Sequence, residues 1–221
     1  FLNNKIIKYK EKQSNVKVIF DIIDLWPETL PGKKIKEKLK VIFNVWKNLR
    51  DKNICKADMV ITECNLYQKI LKNKLPESTK TLYLADNYIG YKNELEDKSL
   101  VVTYLGSINN IIDIDLIVKI LYEIKQTTKV RLEIIGDGEN RENLLTKLKE
   151  NSIDYIYYGK IYDEKRKYEI FNKSHFGINI MKQDVYVGLT TKSIEYFRYG
   201  LPIINNIKED TTNIINEYDV G

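Results

Sequence analysis

The sequence has few cysteines and histidines, and it lacks a long apolar run. Its 221 residues include two cysteines, Cys55 and Cys64, and one histidine, His175. Two cysteines cannot build a disulfide framework in a chain of this size, so a reducing cytoplasm is predicted. A single histidine disfavours hydrolase triads and zinc sites, and we expect it to be structural because it precedes an apolar strand. No uncharged apolar stretch approaches the ~20 residues of a membrane span.

The positive charge is concentrated in one segment. Lys and Arg total 36 against 31 Asp and Glu, and 43% of the residues are hydrophobic, as in soluble globular proteins. Residues 33–56 alone carry eight Lys and one Arg against one Glu and one Asp. The rest of the chain is therefore slightly acidic. With no recognition fold beside the basic segment, nucleic acid is not an expected partner.

Within this segment, residues 33–50 have the spacing of an amphipathic helix. Apolar side chains share one face and lysines occupy the other; the apolar residues are Ile35, Leu39, Ile42, Phe43, Trp46 and Leu49. Two interpretations stay open. One is a surface helix packed on its sheet with a solvated cationic side. The other is peripheral docking on an anionic membrane, at its inner face, through residues 33–56.

Short β-branched runs alternate with helical stretches along most of the chain. Such alternation predicts an α/β protein with parallel sheets, because parallel neighbours need long crossover connections. Polar residues 85–99 separate two such blocks, which predicts two Rossmann-like domains, 1–90 and 91–221. The predicted strands are Val16–Ile23, Met59–Thr62, Thr79–Leu84, Val101–Leu105, Val130–Ile135, Tyr155–Tyr158, Phe176–Ile180 and Pro202–Asn206.

Three strand-to-helix junctions of the second block carry glycine with polar residues. Open parallel sheets bind ligands beyond the carboxyl ends of their strands, and glycine permits a close backbone approach there. The junction residues are Gly106, Ser107, Gly136, Gly138, Lys160 and Ile161. Each junction alone is equally compatible with an ordinary tight turn.

The densest junction is Gly188-Leu189-Thr190-Thr191-Lys192, followed by a helix that contains Glu195. Amides and hydroxyls at a helix N-terminus, together with Lys192, predict a diphosphate site. Glu195, on the same side of the helix, could accept hydrogen bonds from two ribose hydroxyls. The alternative is a Thr-capped helix with a Lys–Glu pair on its surface.

In the first block, three carboxylates surround a Trp-Pro turn at the end of a predicted strand. Asp21, Asp24 and Glu28 could hold sugar hydroxyls, with Trp26 as an apolar platform. They could equally cap the turn that follows the strand.

Taken in order, these junctions resemble a known family. TYLGSI (103–108), LEIIGDGENRENL (132–144), YYGKI (157–161) and GLTTKSIEYFRYGLPII (188–204) resemble the donor-binding half of retaining GT-B glycosyltransferases similar to family 4, in glycosyl transferases group 1. IFDIIDLWPETLP (19–31) resembles part of their acceptor-side half.

The resemblance implies two Rossmann-like domains and a nucleotide-sugar donor. The segment 188–191 with Lys192 would hold the diphosphate and sugar, and Glu195 would hold the ribose. Gly136 and Gly138 would line the nucleotide site, and Lys160-Ile161 would meet the base. Such enzymes need no metal and no cofactor, since the donor phosphate helps to take the acceptor's proton while positive charge stabilises the departing diphosphate.

Three positions or regions depart from the family pattern. The family often has two glutamates; Glu195 matches the second, whereas Val187 stands at the first. An Arg and a Lys near the first motif are replaced by Ser107 and Asp113. The first domain is short by about half and the final return helix is missing, so a fragment is expected.

These observations predict a retaining, metal-independent hexosyltransferase, with Lys192, Glu195 and Asp24 as candidate catalytic residues. UDP is favoured over GDP as the donor nucleotide. A glycan or lipid-linked acceptor in polysaccharide biosynthesis is expected. Two alternatives stay open: a sugar-nucleotide epimerase of the same fold, and a non-catalytic GT-B-like partner subunit.

Overall fold

The computed structural model describes residues 2–13, 15–30, 37–90, 95 and 99–221. By its internal contacts the chain divides into two compact units. The first unit comprises residues 1–84 with 184–189, and the second comprises residues 85–183 with 190–221. Both units are built on parallel sheets.

The first unit carries a three-stranded parallel sheet with strand order β1-β2-β3. Single turns of 3₁₀ helix cover Ile54–Lys56 and Lys72–Lys74. The main elements in chain order are α1 (Leu2–Lys10), β1 (Ile19–Ile22), α2 (Lys40–Asp51), β2 (Met59–Thr62), α3 (Asn65–Leu71) and β3 (Lys80–Thr81).

The second unit is a five-stranded parallel sheet with strand order β6-β5-β4-β7-β8. Its elements are β4 (Leu100–Leu105), α4 (Ile114–Lys125), β5 (Val130–Ile135), α5 (Arg141–Glu150), β6 (Asp154–Gly159), α6 (Glu164–Phe171), β7 (Phe176–Asn179), α7 (Thr191–Arg198), β8 (Ile203–Asn205) and α8 (Asp210–Tyr218). Helix and strand alternate throughout, which confirms the predicted α/β class.

Burial explains why the strands and helices of the second unit could be predicted from the sequence. Four consecutive residues of β4, Val101–Tyr104, are buried, as expected for a strand covered on both faces. Helix α4 buries Ile114, Ile117, Val118 and Leu121 at helical spacing. Each such side chain contributes about 1.5–3 kcal/mol when fully buried.

Strand β1 of the first unit has a more open environment. Its residues alternate between exposed and half-buried, and Ile19 is 58% exposed. The strand is also shorter than the predicted Val16–Ile23, and β3 is reduced from Thr79–Leu84 to two residues. The β-propensity of the residues alone overestimated the length of these two strands, because the propensity does not show which residues pair with a neighbouring strand.

Helix α2 keeps much of its apolar face exposed. Val41, Ile42 and Val45 are 77%, 61% and 53% exposed, while Phe43 and Trp46 are half-buried. The predicted start of this helix, residues 33–36 with Ile35, lies outside the described residues. Among the described residues, no helix is long and apolar enough to cross a membrane.

Candidate functional site

The order of the strands creates a switch point in the second unit. From β4 the chain proceeds through β5 and β6 on one side, and then returns to place β7 and β8 on the other. Ligands of open parallel sheets bind at the carboxyl ends of the strands where the order reverses. The segments that follow β4 and β7 are therefore the expected ligand-binding edge.

The glycine turns at this edge are interlocked. The Gly106 amide donates to the Ile135 carbonyl, and the Gly136 amide donates to the Gly159 carbonyl, both at 2.8 Å. A Cβ on Gly136 would lie 1.9 Å from the Gly106 carbonyl oxygen. Gly106 and Gly136 also have φ of 112° and 145°. Gly136 is thus required by the packing of one turn against the next, and Gly106 is favoured by its positive φ.

An open pocket of about 420 Å³ lies beside these turns. Three of the predicted donor-site residues, Ser107, Gly138 and Lys160, line it together with Asn109, Asp137, Glu139 and Arg141. The predicted residue Ile161 instead packs against the core cluster around Phe171.

Asp137 and Arg141 form the charged wall of the pocket. Asp137 Oδ1 accepts hydrogen bonds from the Gly138 amide at 2.9 Å and from Arg141 Nη1 at 3.3 Å. These contacts, the backbone amide first, lower the pKa of the Asp137 carboxyl. The Arg141 guanidinium also lies over the Tyr157 ring, 5.7 Å from its centroid. The wall therefore presents an ionised carboxylate and a cation to whatever enters.

Lys192, in the first turn of α7, reaches across the switch point to β4. Its Nζ lies 4.1 Å from the centre of the Tyr104 ring, and its Cε would be 3.3 Å from a Cβ on Gly106. The Nζ atom is shielded from solvent and has no hydrogen-bond partner among the described residues. Burial lowers the pKa of Lys192 to about 7. A buried amine without a partner is costly and calls for a compensating ligand.

Thr190 is committed to capping α7. Its Oγ1 accepts from the Ser193 amide at 3.0 Å, and it also receives a hydrogen bond from Asn179 Nδ2 at 2.8 Å. Thr191, in contrast, is exposed. Gly188 and Leu189 precede Thr190 along the chain, and Leu189 is buried. The motif thus combines a structural cap with a lysine that has unused hydrogen-bonding capacity.

Glu195 pairs with a residue that the sequence did not indicate. Lys167 Nζ of α6 donates to Glu195 Oε1 at 2.5 Å and to Glu164 Oε1 at 2.6 Å. Burial alone would lower the pKa of Lys167, but hydrogen bonds to the two carboxylates outweigh it and raise the pKa. Asn179 was also not singled out from the sequence. A polar amide side chain at the carboxyl end of an otherwise apolar strand could have indicated it.

In the first unit, Asp24 holds its own turn together. Its Oδ2 accepts from Trp26 Nε1 at 2.8 Å, and its Oδ1 accepts from Thr29 Oγ1 at 2.7 Å. Of the two roles that the sequence left open, the capping role is the one with contacts in the structure.

Glu28 ties the same turn to α2. Arg50 donates to both oxygens of Glu28, at 2.6 and 3.2 Å, and Lys47 pairs with it at 3.0 Å. Burial raises the Glu28 pKa, but the hydrogen bonds from Arg50 and Lys47 prevail and lower it overall.

Asp21 and Trp26 remain exposed on the first unit. Trp26 is 49% exposed, and its ring meets Trp46 edge to face at 6.2 Å. Burial raises the pKa of Glu63, and the negative charges of Asp24 and Asp21 raise it further. This end of the unit is therefore acidic and carries an accessible indole ring.

His175 lies at the opposite end of the second sheet from the glycine turns. Its Nδ1 accepts a hydrogen bond from the Val101 amide at 3.1 Å, where β4 begins. This contact supports the structural role predicted for it. Across the described part of the chain, no three His, Cys, Asp or Glu residues are grouped as metal ligands would be.

A family match places the chain among known proteins. The sequence model of the family Glycosyl transferases group 1 matches residues 99–217, more than half of the chain. The protein therefore belongs to the glycosyl transferases group 1, and the family resemblance of its junction motifs is confirmed. No curated protein sequence matches the chain.

Solved glycosyltransferase structures share the fold. A TarM variant from S. aureus, in complex with fondaparinux, α-GlcNAc-glycerol and UDP, matches with a TM-score of 0.63 and 14% identity, over 91% of this chain and 39% of TarM. Sucrose-phosphate synthase from Thermosynechococcus elongatus matches with a TM-score of 0.61 and 14% identity, over 89% of this chain and 51% of the synthase. Anabaena HepE, in complex with UDP and glucose, matches with a TM-score of 0.60 and 12% identity, over 90% of this chain and 55% of HepE.

These similarities confirm the GT-B-type fold. They also show that the chain spans only 39–55% of the length of the three structures.

Proposed function

We propose that the whole protein transfers a hexose from a nucleoside-diphosphate sugar to a glycan or lipid-linked acceptor, with retention of configuration, in polysaccharide biosynthesis. The observation that carries the proposal is Lys192, a buried amine without a hydrogen-bond partner at the switch point of the donor-side sheet. A diphosphate bound there would supply the missing acceptor oxygens.

The surroundings of Lys192 favour an anion over a neutral ligand. Lys192 lies in the first turn of α7, where unpaired backbone amides and the helix dipole attract negative charge. The glycine after β4 leaves Lys192 room beside the backbone. A charge-assisted hydrogen bond to phosphate would hold Lys192 protonated despite its burial.

The pocket beside the glycine turns is the proposed nucleoside site. Ser107, Gly138 and Lys160 line it, and its volume of about 420 Å³ is within the range of small-molecule sites. UDP is the preferred donor nucleotide in this proposal, since the TarM and HepE structures both contain UDP.

The proposed chemistry relies on positions already held by the fold. The bond between the sugar C1 and the diphosphate oxygen breaks while the acceptor oxygen bonds to C1 on the same face. The acceptor's proton passes to the departing phosphate. Lys192 and the α7 amides stabilise the charge that develops there, so that this step needs no metal.

The acceptor is assigned to the first unit, where Asp21 and Trp26 are exposed. Helix α2 of the same unit is proposed to dock on an anionic membrane at the cytoplasmic face. Its exposed Val41, Ile42 and Val45 would enter the interface while neighbouring lysines meet acidic headgroups.

Liposome flotation tests the membrane contact. Anionic vesicles should float the full-length protein, and neutral vesicles should not. Val41→Asp combined with Val45→Asp should abolish flotation, whereas Tyr162→Asp, which alters another exposed apolar side chain, should not. Equal flotation with both kinds of vesicle would overturn this part of the proposal.

Calorimetric titration of the full-length protein with UDP and GDP tests the donor site. Lys192→Met should weaken nucleoside-diphosphate binding by about 10- to 100-fold, the usual value of a charge-assisted hydrogen bond. Lys173→Met, which alters an exposed lysine of the same unit, is the matched control and should bind as the wild type does.

The outcome is readable even if stability changes. Removing an unpaired buried amine should not destabilise the fold, so lost affinity with an intact unfolding transition supports the proposal. Unchanged binding in Lys192→Met, or no binding of either nucleotide by the wild type, would contradict it.

A further inference from the structure

A chain of ion pairs joins α6 to α7 beside the proposed donor site. Lys167 of α6 contacts both Glu164 of its own helix and Glu195 of α7. The two helices follow β6 and β7, so their first turns lie at the carboxyl edge of the same sheet. The ion pairs therefore lie on the side of the sheet where the ligand is expected.

Lys167 is held in a single place. Its side chain is 10% exposed, and Glu164 is fixed in turn by Arg198 at 2.8 Å and by the Tyr199 hydroxyl at 2.8 Å. Burial of the Lys167 ammonium is costly, and its two carboxylate partners offset that cost, so moving the ammonium away from them would be strongly unfavourable. Glu164 thus holds the Lys167 side chain in an orientation that faces α7.

Glu195 has a simpler environment. Within the described residues its carboxylate receives one side-chain hydrogen bond, from Lys167 to Oε1, and its side chain is 24% exposed. The second oxygen, Oε2, has no hydrogen bond to the described residues. Lys167 consequently determines both the orientation of this carboxylate and which of its oxygens remains available.

We propose that Lys167 is the positioning residue of the ribose-binding carboxylate: by holding Oε1 of Glu195, it turns Oε2 toward the vicinal hydroxyls of the donor ribose. The inference rests on the proposed function and on the ribose-binding role that the family resemblance implies for Glu195. Lys167 itself touches neither the sugar nor the diphosphate in this arrangement.

The inference distinguishes positioning from general support of the fold. If Lys167 only joined two helices, its loss would weaken every ligand of the site alike. If it orients Glu195, its loss weakens only ligands that carry the two ribose hydroxyls. Removing those hydroxyls from the ligand should then cancel the effect of the mutation.

The experiment compares UDP with 2′,3′-dideoxy-UDP, and GDP with its dideoxy analogue, by calorimetry on the full-length protein. The wild type should prefer the ribonucleotide by about tenfold, a typical effect of hydrogen bonds to a charged group. Lys167→Met should reduce that preference to about twofold and leave the dideoxy affinity unchanged. Lys165→Met, which alters an exposed lysine of the same helix, should keep the preference.

Each outcome is decisive. Retained preference in a folded Lys167→Met or Lys167→Gln protein overturns the positioning role, as does an equal loss for both analogues. Failure of both variants to fold assigns the ion pairs to stability and also overturns it. Wild-type binding of UDP or GDP without any preference removes the ribose role of Glu195, whereas no wild-type nucleotide binding refutes the proposed function itself.

Discussion

The two sheets of this protein end in polar residues at their carboxyl edges, yet these residues are satisfied to very different degrees. In the first unit, Asp24 is bonded to Trp26 and Thr29, and Glu28 is bonded to Arg50 and Lys47. In the second unit, Lys192 is buried without a hydrogen bond to any described residue.

This difference in hydrogen bonding separates polar residues that stabilise the fold from those that still have unused hydrogen-bonding groups. Folded proteins satisfy nearly all of their buried polar groups, because an unpaired one costs about 1–3 kcal/mol. Paired carboxylates such as Asp24 and Glu28 stabilise the turn that carries them. A buried amine that lacks a partner instead points to a ligand, so unsatisfied bonding distinguishes the two edges more clearly than residue type does.

The largest expected effect tests how tightly the second edge is built. Gly136→Ala should destabilise the protein by about 3 kcal/mol or more, because its Cβ would meet the Gly106 carbonyl at 1.9 Å. Gly90→Ala is the control: it has a similarly positive φ of 97° but no described atom within 4 Å of its Cβ, so only about 1–2 kcal/mol should be lost. Urea unfolding measures both, and equal losses would contradict the interlocked turns.

A smaller effect should appear in the pH dependence of stability. The pKa of Lys192 is about 7 in the folded protein against 10.5 ordinarily. Between these values the unfolded chain binds a proton that the folded protein does not, so the free energy of unfolding should rise with pH above about 7 and be flat below it. Relative to Lys192→Met, the wild type should gain about 2.7 kcal/mol between pH 6 and 9.

Urea unfolding of the two proteins at several pH values makes that measurement. Saturating UDP should flatten the slope, since a bound anion would keep Lys192 protonated. An identical slope in wild type and Lys192→Met would show that the amine is paired in solution.

The smallest expected effect belongs to the satisfied edge. Glu28→Gln should destabilise the protein by about 1–2 kcal/mol through weakened contacts with Arg50 and Lys47. Glu77→Gln, which alters an exposed carboxylate of the same unit, should change stability by less than about 0.5 kcal/mol. Because the Glu28 pKa is lowered, its contribution is present above the ordinary carboxyl pKa and is lost as the pH falls. Thermal unfolding at pH 7 and at pH 3 separates these cases, and a loss that persists unchanged at pH 3 would rule out an ionic origin.

The sequence predicted the second unit more accurately than the first. The bounds of Val130–Ile135 agree with the structure, and the other strands of the second sheet differ by one residue at one end or at both. In the first sheet, Met59–Thr62 agrees, but the other two strands do not. Strands buried on both faces carry continuous apolar runs with clear limits. The strands β1 and β3 were overestimated because exposed β-branched residues resemble strand interiors without being paired.

The candidate site was only partly readable for a different reason. Glycine junctions and the Thr-Thr-Lys motif are local patterns that a sequence displays directly. The contact of Lys167 with Glu195 joins residues 28 positions apart, and Asn179 joins Thr190 from another element. No local spacing encodes such pairs, since the crossover connections that create them have variable length.

The sequence by itself determined the order of strands and helices, the parallel α/β class, the location of the charge excess and the positions of the glycine turns. These follow from hydrophobic periodicity and backbone chemistry, which act over a few residues. The tertiary structure alone decided which polar groups are paired. It engaged Asp24, Glu28 and Thr190 with their neighbours and left Lys192 buried without a described hydrogen-bond partner, because burial and pairing depend on which elements the sheet topology brings together.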